Sequence, residues 1–127
     1  MPSREYLKAD ERQRERAYSP AVKINGGTTI YLAGHTGYQE THPGDFDSQV
    51  RAAFERMRKT LETAGGKLDD IVTMTVFLID ARHTTRMTEL RTQLFGNNFP
   101  ASAAITVSGF ARPDIMIEVQ GVAVSAK

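Results

Sequence analysis

No cysteine occurs in this 127-residue chain, which excludes disulfides, thiolate nucleophiles and cysteine metal sites together and suits a cytoplasmic protein. A surplus of one charge sign is also missing. With 16 basic and 15 acidic side chains, the formal net charge is +1, so the balance asks for no nucleic acid, membrane surface or acidic partner. No apolar run approaches the roughly 20 residues of a membrane-spanning helix, and the opening segment MPSREYLKADERQRER has no apolar stretch of the kind a signal peptide needs. His35, His42 and His83 lie in separate segments without metal-ligand spacing, and Ser19, Ser102 and Ser108 sit in no GxSxG elbow. Neither a metal site nor a nucleophilic triad is expected.

What is present is an ordinary soluble composition, 40% apolar and 24% charged, in a chain long enough for one core and too short for two. Residues 1–16 read as a charged N-terminal arm or short surface helix with a solvated face, and residues 17–127 as a single domain. Tyr18 to Ile24 and Thr28 to Ala33 flank Asn25-Gly26-Gly27, which predicts a hairpin. Gly34 and Gly37 bracket His35 and Thr36 where its second strand ends, and a loop follows over 38–44. Val50, Ala53, Phe54, Met57, Leu61 and Ala64 then make one helical stripe, with Asp45 or Asp47 as the cap and Gly65-Gly66 as the stop. Ile71 to Ile79 is β-rich and apolar on both sides, as a central strand is. Met87, Leu90 and Leu94 mark a second helix, about 85–95, stopped by Gly96-Asn97-Asn98 and Pro100.

The stretch Phe99 to Val124 organises the chain. It pairs two strand-like runs across a Gly, Pro and Asp loop, and side chains in its second run alternate between faces. Ile115, Ile117, Val119, Gly121 and Ala123 belong against a core. Met116, Glu118, Gln120, Val122 and Val124 share the other side, leaving a carboxylate among apolar neighbours. Glu118 is therefore the best candidate for chemistry. Strand, strand, helix, strand, helix, strand, strand gives an α+β fold, one mixed sheet with both helices on one face. Two helices cover only one face, so Met74, Val76 and Leu78 or their alternates, with Met116 and Val122, leave apolar groups uncovered. That predicts a homo-oligomer.

Tyr18-Ser-Pro-Ala-Val, Ile30-Tyr-Leu-Ala-Gly-His-Thr-Gly37, Ala64-Gly65-Gly66, Thr75-Val-Phe-Leu-Ile-Asp80, Phe99-Pro-Ala101 and Ile117-Glu118-Val-Gln-Gly-Val-Ala123 resemble, in order and spacing, the reactive intermediate deaminase family, also called YjgF or UK114. The likeness covers nearly everything after residue 16. It implies a chorismate-mutase-like fold and a homotrimer whose sheets pack into a central barrel, with a pocket at each subunit interface. It further implies a small-molecule substrate and no cofactor.

Members of that family that deaminate enamines and imines hold the substrate carboxylate with an Arg after Phe-Pro-Ala; Ser102 stands there in this chain. By the same resemblance Glu118 orients or activates the attacking water, Tyr18 is the pocket tyrosine, and backbone near Gly34 and Ala104 lines the pocket. His35 replaces a frequent Gln, and the second-helix Asn and Tyr positions are Thr88 and Arg91. A serine offers one neutral donor where an Arg fork offers two charge-assisted ones, a difference of about 1.5–3 kcal/mol. Arg91 or Arg112 is the candidate replacement from another direction. His35 is either an acid or base for the lost chemistry or a structural histidine beside two glycines. Two readings follow: a C–N hydrolase acting on imines, enamines or related amine-bearing metabolites, or a non-catalytic member binding a metabolite or partner in the same cleft. The ribonuclease activity sometimes attached to the family finds no basic patch interleaved with aromatics.

Overall fold

The computed structural model describes residues 2–39, 44–96 and 98–126; His42, Asn97 and the middle of the 38–44 loop lie outside them. In chain order the elements are β1 (Ser3–Tyr6), α1 (Glu11–Glu15), β2 (Val22–Asn25), β3 (Thr28–Thr36), α2 (Phe46–Thr63), β4 (Ile71–Leu78), α3 (Thr84–Phe95), β5 (Ala101–Thr106) and β6 (Ile117–Ser125). The fold is α+β with a mixed sheet, as the periodicities predict.

Helix α2 follows its stripe closely: Val50, Ala53, Phe54, Met57 and Leu61 are at most 1% exposed. Asp45 is its N-cap, accepting the Ser48 N–H at 2.9 Å. Gly65 follows at φ +86°, and the N–H groups of Gly65 and Gly66 return to Glu62 and Leu61, closing the helix in a Schellman turn. Ala64, placed in the stripe by spacing, is the exposed C-cap instead. Arg86 of α3 reaches Asp47 of α2 with three contacts of 2.6–3.0 Å, and that pairing holds the Asp47 carboxyl below the usual carboxylate range.

The main sheet runs β3-β6-β4-β5, and β1 and β2 form a separate two-stranded ribbon. Two expected pairings are corrected. Strand β2 does not form a hairpin with β3: it pairs with β1, and β3 pairs antiparallel with β6. Gly26 and Gly27 do turn the chain, at φ +80° and +81°, but β6 offers β3 a nine-residue partner with a buried face, and that outweighs the local turn signal. Nor do β5 and β6 pair with each other. Strand β4 lies between them, parallel to β5 and antiparallel to β6.

Alternation then sorts the side chains. Ile117, Val119 and Ala123 of β6 and Met74, Val76 and Leu78 of β4 are buried with α2 and with Met87, Leu90 and Phe95 of α3. The open face therefore takes the alternates, Thr73, Thr75 and Phe77. Met116, expected on that open face, packs against the core instead. By register, one open-face row reads Thr36, Glu118, Phe77 and Ile105, and another begins Tyr31, Val122 and Thr73. Tyr31 is 82% and Ile105 45% exposed. Large apolar groups thus stand uncovered on that face.

Gln49 of α2 anchors the loop that enters β6. Its side chain is fully buried, donating to Asp114 O and accepting from Met116 N–H, each at 2.8 Å. Gln49→Leu orphans both backbone groups and is expected to cost about 2–4 kcal/mol, read as a lower urea midpoint with an unchanged slope. A midpoint within error of wild type contradicts this anchoring role.

Candidate functional site

The residues singled out from the sequence fall into two groups on different parts of the chain. The first lies at the β5 edge. Ser19 ties the segment before β2 to the start of β5, its hydroxyl donating to Phe99 O at 2.7 Å and its N–H to Pro100 O at 3.2 Å. Just upstream, α1 begins with an Asp10 capping box and ends on Arg16. Ala17 then turns the chain at φ +60°, a left-handed conformation usual for glycine at a helix end and costly for alanine by about 1 kcal/mol or more. The turn brings Tyr18 and the Arg16 carbonyl to the side of β5.

Helix α3 contributes Arg91 to the same place. Its Nη1 donates to Ser102 Oγ at 2.9 Å and its Nη2 to Arg16 O at 2.7 Å. It is 4% exposed. Burial pushes its guanidinium down to about 10, which still leaves it charged at neutral pH. Ser102 thus has an arginine against its hydroxyl, supplied from α3 and not from β5. A cleft of about 320 Å³ opens here between Arg12 of α1 and its C-cap Arg16, Tyr18, Thr84, Thr88 and Arg91 of α3, and Ser102 to Ala104 of β5. Of the expected site residues, the structure therefore brings together Tyr18, Ser102, Ala104 and Arg91.

Glu118 and Gly34 make the second group, on β6 and β3. Between Leu32 and His35, β3 carries a bulge that puts one extra residue opposite β6. The bulge seats Gly34 against the Glu118 carboxyl: a Cβ on Gly34 would lie 2.9 Å from Glu118 Cδ and collide with its Oε2. A side chain at this position would require the Glu118 carboxylate to move. Arg56 of α2 holds the end of β3, donating to Thr36 O and Tyr38 O at 2.8 Å each.

His35 stands apart from Glu118. Its register partner is Val119, on the helix side of the sheet, and its Nε2 meets Thr60 Oγ1 of α2 at 2.9 Å while Nδ1 meets Ala33 O at 2.7 Å. The carbonyl can only accept, so Nδ1 carries the proton, and in the neutral ring Nε2 accepts from the threonine. Both nitrogens are taken within the chain. Arg112 is elsewhere too, its guanidinium 5.3 Å from the centre of the Tyr38 ring. Sequence reasoning missed Arg12 and Arg16, which it placed on a solvated arm. Their i, i+4 spacing, which sets both on one helix face, was the available signal.

Among the described residues no group of His, Asp and Glu is arranged to hold a metal, and no helix is long and apolar enough to cross a membrane. The profile of the family described as endoribonuclease L-PSP matches residues 9–125. A RutC family protein of Pyrococcus abyssi is 35% identical over 112 residues, 84% of each chain. The YyfB protein of Yersinia pestis, a conserved Rid-family protein of unknown function, superposes with a TM-score of 0.84 at 18% identity, covering 96% of this chain and 98% of that one. A YjgF/YER057c/UK114-family protein of Mycobacterium tuberculosis gives 0.71 at 27% identity, covering 97% and 100%.

Arg91 is a buried cation whose hydrogen-bond partners are neutral. No carboxylate bonds to it, and its Nε has no hydrogen-bond partner among the described residues. Replacing such a cation by an apolar group of similar size is often neutral or stabilising, whereas a structural pin loses about 3–5 kcal/mol when broken. Arg91→Met removes a charge buried without an acid but takes the donor from the Arg16 carbonyl and the Ser102 hydroxyl, and is therefore expected to lower the unfolding free energy by no more than about 2 kcal/mol. A fall of several kcal/mol identifies Arg91 as a structural pin instead.

Proposed function

This chain belongs to the endoribonuclease L-PSP family, which also carries the names Rid, YjgF and UK114, and on that premise we propose that it hydrolyses imines or enamines of small metabolites. The pocket is completed when a second copy packs on the open sheet face of the first, in a homotrimer. The observation that carries this reading is the division of the site: Glu118 stands on the open face, in the row with Phe77 and Ile105, while Tyr18, Arg91 and Ser102 line the cleft at the β5 edge. A neighbouring copy sets one group against the other.

In that pocket Arg91 takes the part that an arginine in place of Ser102 plays in related deaminases, holding the substrate carboxylate. Ser102 accepts from Arg91 and keeps its own hydrogen to donate. Glu118 takes a proton from water as the water oxygen adds to the C=N carbon, and that proton passes to the nitrogen; the hydroxyl of the resulting carbinolamine then gives up its own proton, which also goes to the nitrogen, as the C=O bond forms and the C–N bond breaks. Ammonia and a carbonyl compound leave, with no oxidant, reductant or cofactor required. A cysteine-free chain doing this work suits the cytoplasm. The ready chemistry of water addition asks little more than a positioned base and an anchored substrate, and a base of this kind contributes about 10²- to 10⁴-fold.

The test is turnover of 2-iminobutanoate and bulkier imines generated in situ, comparing wild type with Glu118→Gln. The account expects wild-type hydrolysis and a loss of about a hundredfold or more in kcat for the variant, with an unchanged unfolding midpoint. A variant as active as wild type removes Glu118 from the mechanism. A wild type inactive on every imine favours the second reading, a metabolite-binding protein using the same cleft.

A further inference from the structure

We propose that the cleft at the β5 edge is a double anion site, selecting a small molecule with two negatively charged groups, one held by Arg91 and the other by Arg12 of α1 and its C-cap Arg16. This rests on the pocket of the proposed hydrolase and names the class of its substrate.

Among the described residues, three arginines and no acidic residue line the cleft. Helix α1 also carries Glu11 and Glu15, and neither reaches the lining. Arg58, Arg82 and Arg86 are each matched to carboxylates, Arg58 to Glu55 and Glu62, Arg82 to Asp80 and Arg86 to Asp47, whereas the three arginines of the cleft find no acidic side chain in its described lining. Among the described residues Arg91 bonds only to a hydroxyl and a carbonyl, and its Nε finds no partner; the side chain is 4% exposed. Buried polar groups are normally hydrogen-bonded, and an anion in the cleft would supply this arginine with a charged acceptor.

Like charges gathered in a concave site repel one another until an anion enters, and the low-dielectric walls strengthen the attraction when it does. One carboxylate satisfies one guanidinium fork. A ligand with a single anionic group therefore leaves the α1 pair unmatched, and a ligand with two answers both ends of a cleft of about 320 Å³. Position is built in by the fold: the Arg16 carbonyl is itself fixed by Arg91 Nη2, so α1 is docked on the residue that makes the first anion contact.

Binding separates this proposal from turnover. Calorimetric titration of the full chain at low ionic strength would use butanoate as the single anion, glutarate as the dicarboxylate, and phosphoglycolate to place a phosphate at one end. Glutarate or phosphoglycolate is expected to bind roughly tenfold to hundredfold tighter than butanoate, the value of one further charge-assisted contact set. Arg12→Gln with Arg16→Gln removes that preference and leaves butanoate affinity in place, Arg12→Lys with Arg16→Lys keeps most of it, and Arg91→Met weakens all three ligands. Equal binding of butanoate and both double anions, no binding of either double anion, or a preference that survives the double Gln variant overturns the proposal. A clear preference in a chain that hydrolyses no imine leaves the double anion site standing and brings down the hydrolase reading alone; imine hydrolysis without the preference does the reverse.

Discussion

Two helices cover one face of a four-stranded sheet and no more, and the rest of this molecule follows from that limit. Helices α2 and α3 bury Met74, Val76 and Leu78 on β4 and Ile117, Val119 and Ala123 on β6. The opposite face keeps Phe77, Ile105 and Tyr31, the last two substantially exposed. It also keeps Glu118, in register with Phe77 across β4 and β6. A carboxylate in such a row costs least if the face is wet and is most useful if the face closes. In the proposed trimer, burial of that face by another copy of the chain would serve both folding and chemistry: it would remove apolar area from water at about 25 cal/mol per Å² and bring the carboxylate toward the neighbour's cleft.

The second organising feature is a cation buried without an acid. Arg91 is held by a serine hydroxyl and a backbone carbonyl, neutral partners that only partly offset the loss of hydration. The left-handed Ala17 adds a local cost to the same region. Strain and uncompensated charge concentrated in one cleft are the marks of a binding site more than of a scaffold. On β3 the complementary device is a bulge with a glycine, which seats Gly34 where any Cβ would strike the Glu118 carboxyl.

Much of this was legible in the sequence where a segment's own periodicity decides its fate. The α2 stripe and its Gly65 stop reappear almost residue for residue, Asp45 proves to be the cap of the two aspartates expected, and the alternation of β6 correctly assigned Ile117, Val119 and Ala123 to the core while leaving out Val124, which is also buried. Pairing was less legible, because it is long-range: Asn25-Gly26-Gly27 carries a strong turn signal, yet β3 takes its partner from the other end of the chain. Central β4 was readable as central, but nothing local says that it separates β5 from β6. The site was legible in its residue types and not in its grouping. Arg91 and Arg112 were both candidates to stand in beside Ser102, and it is the three-dimensional structure that separates them, with Arg91 hydrogen-bonded to Ser102 and Arg112 over the Tyr38 ring. The same holds for Arg12 and Arg16, whose segment looks like solvated charge until α1 is docked beside the cleft.

Subunit complementation tests the division of the site most directly. Glu118→Gln and Arg91→Met chains, each inactive in imine hydrolysis by itself, would be unfolded together and refolded as a mixture. If each pocket takes Arg91 from one copy and Glu118 from the next, random assembly brings both intact residues together at about one interface in four, and the mixture recovers about a quarter of wild-type activity. A mixture as inactive as either variant, with assemblies shown to contain both chains, contradicts a site shared between copies.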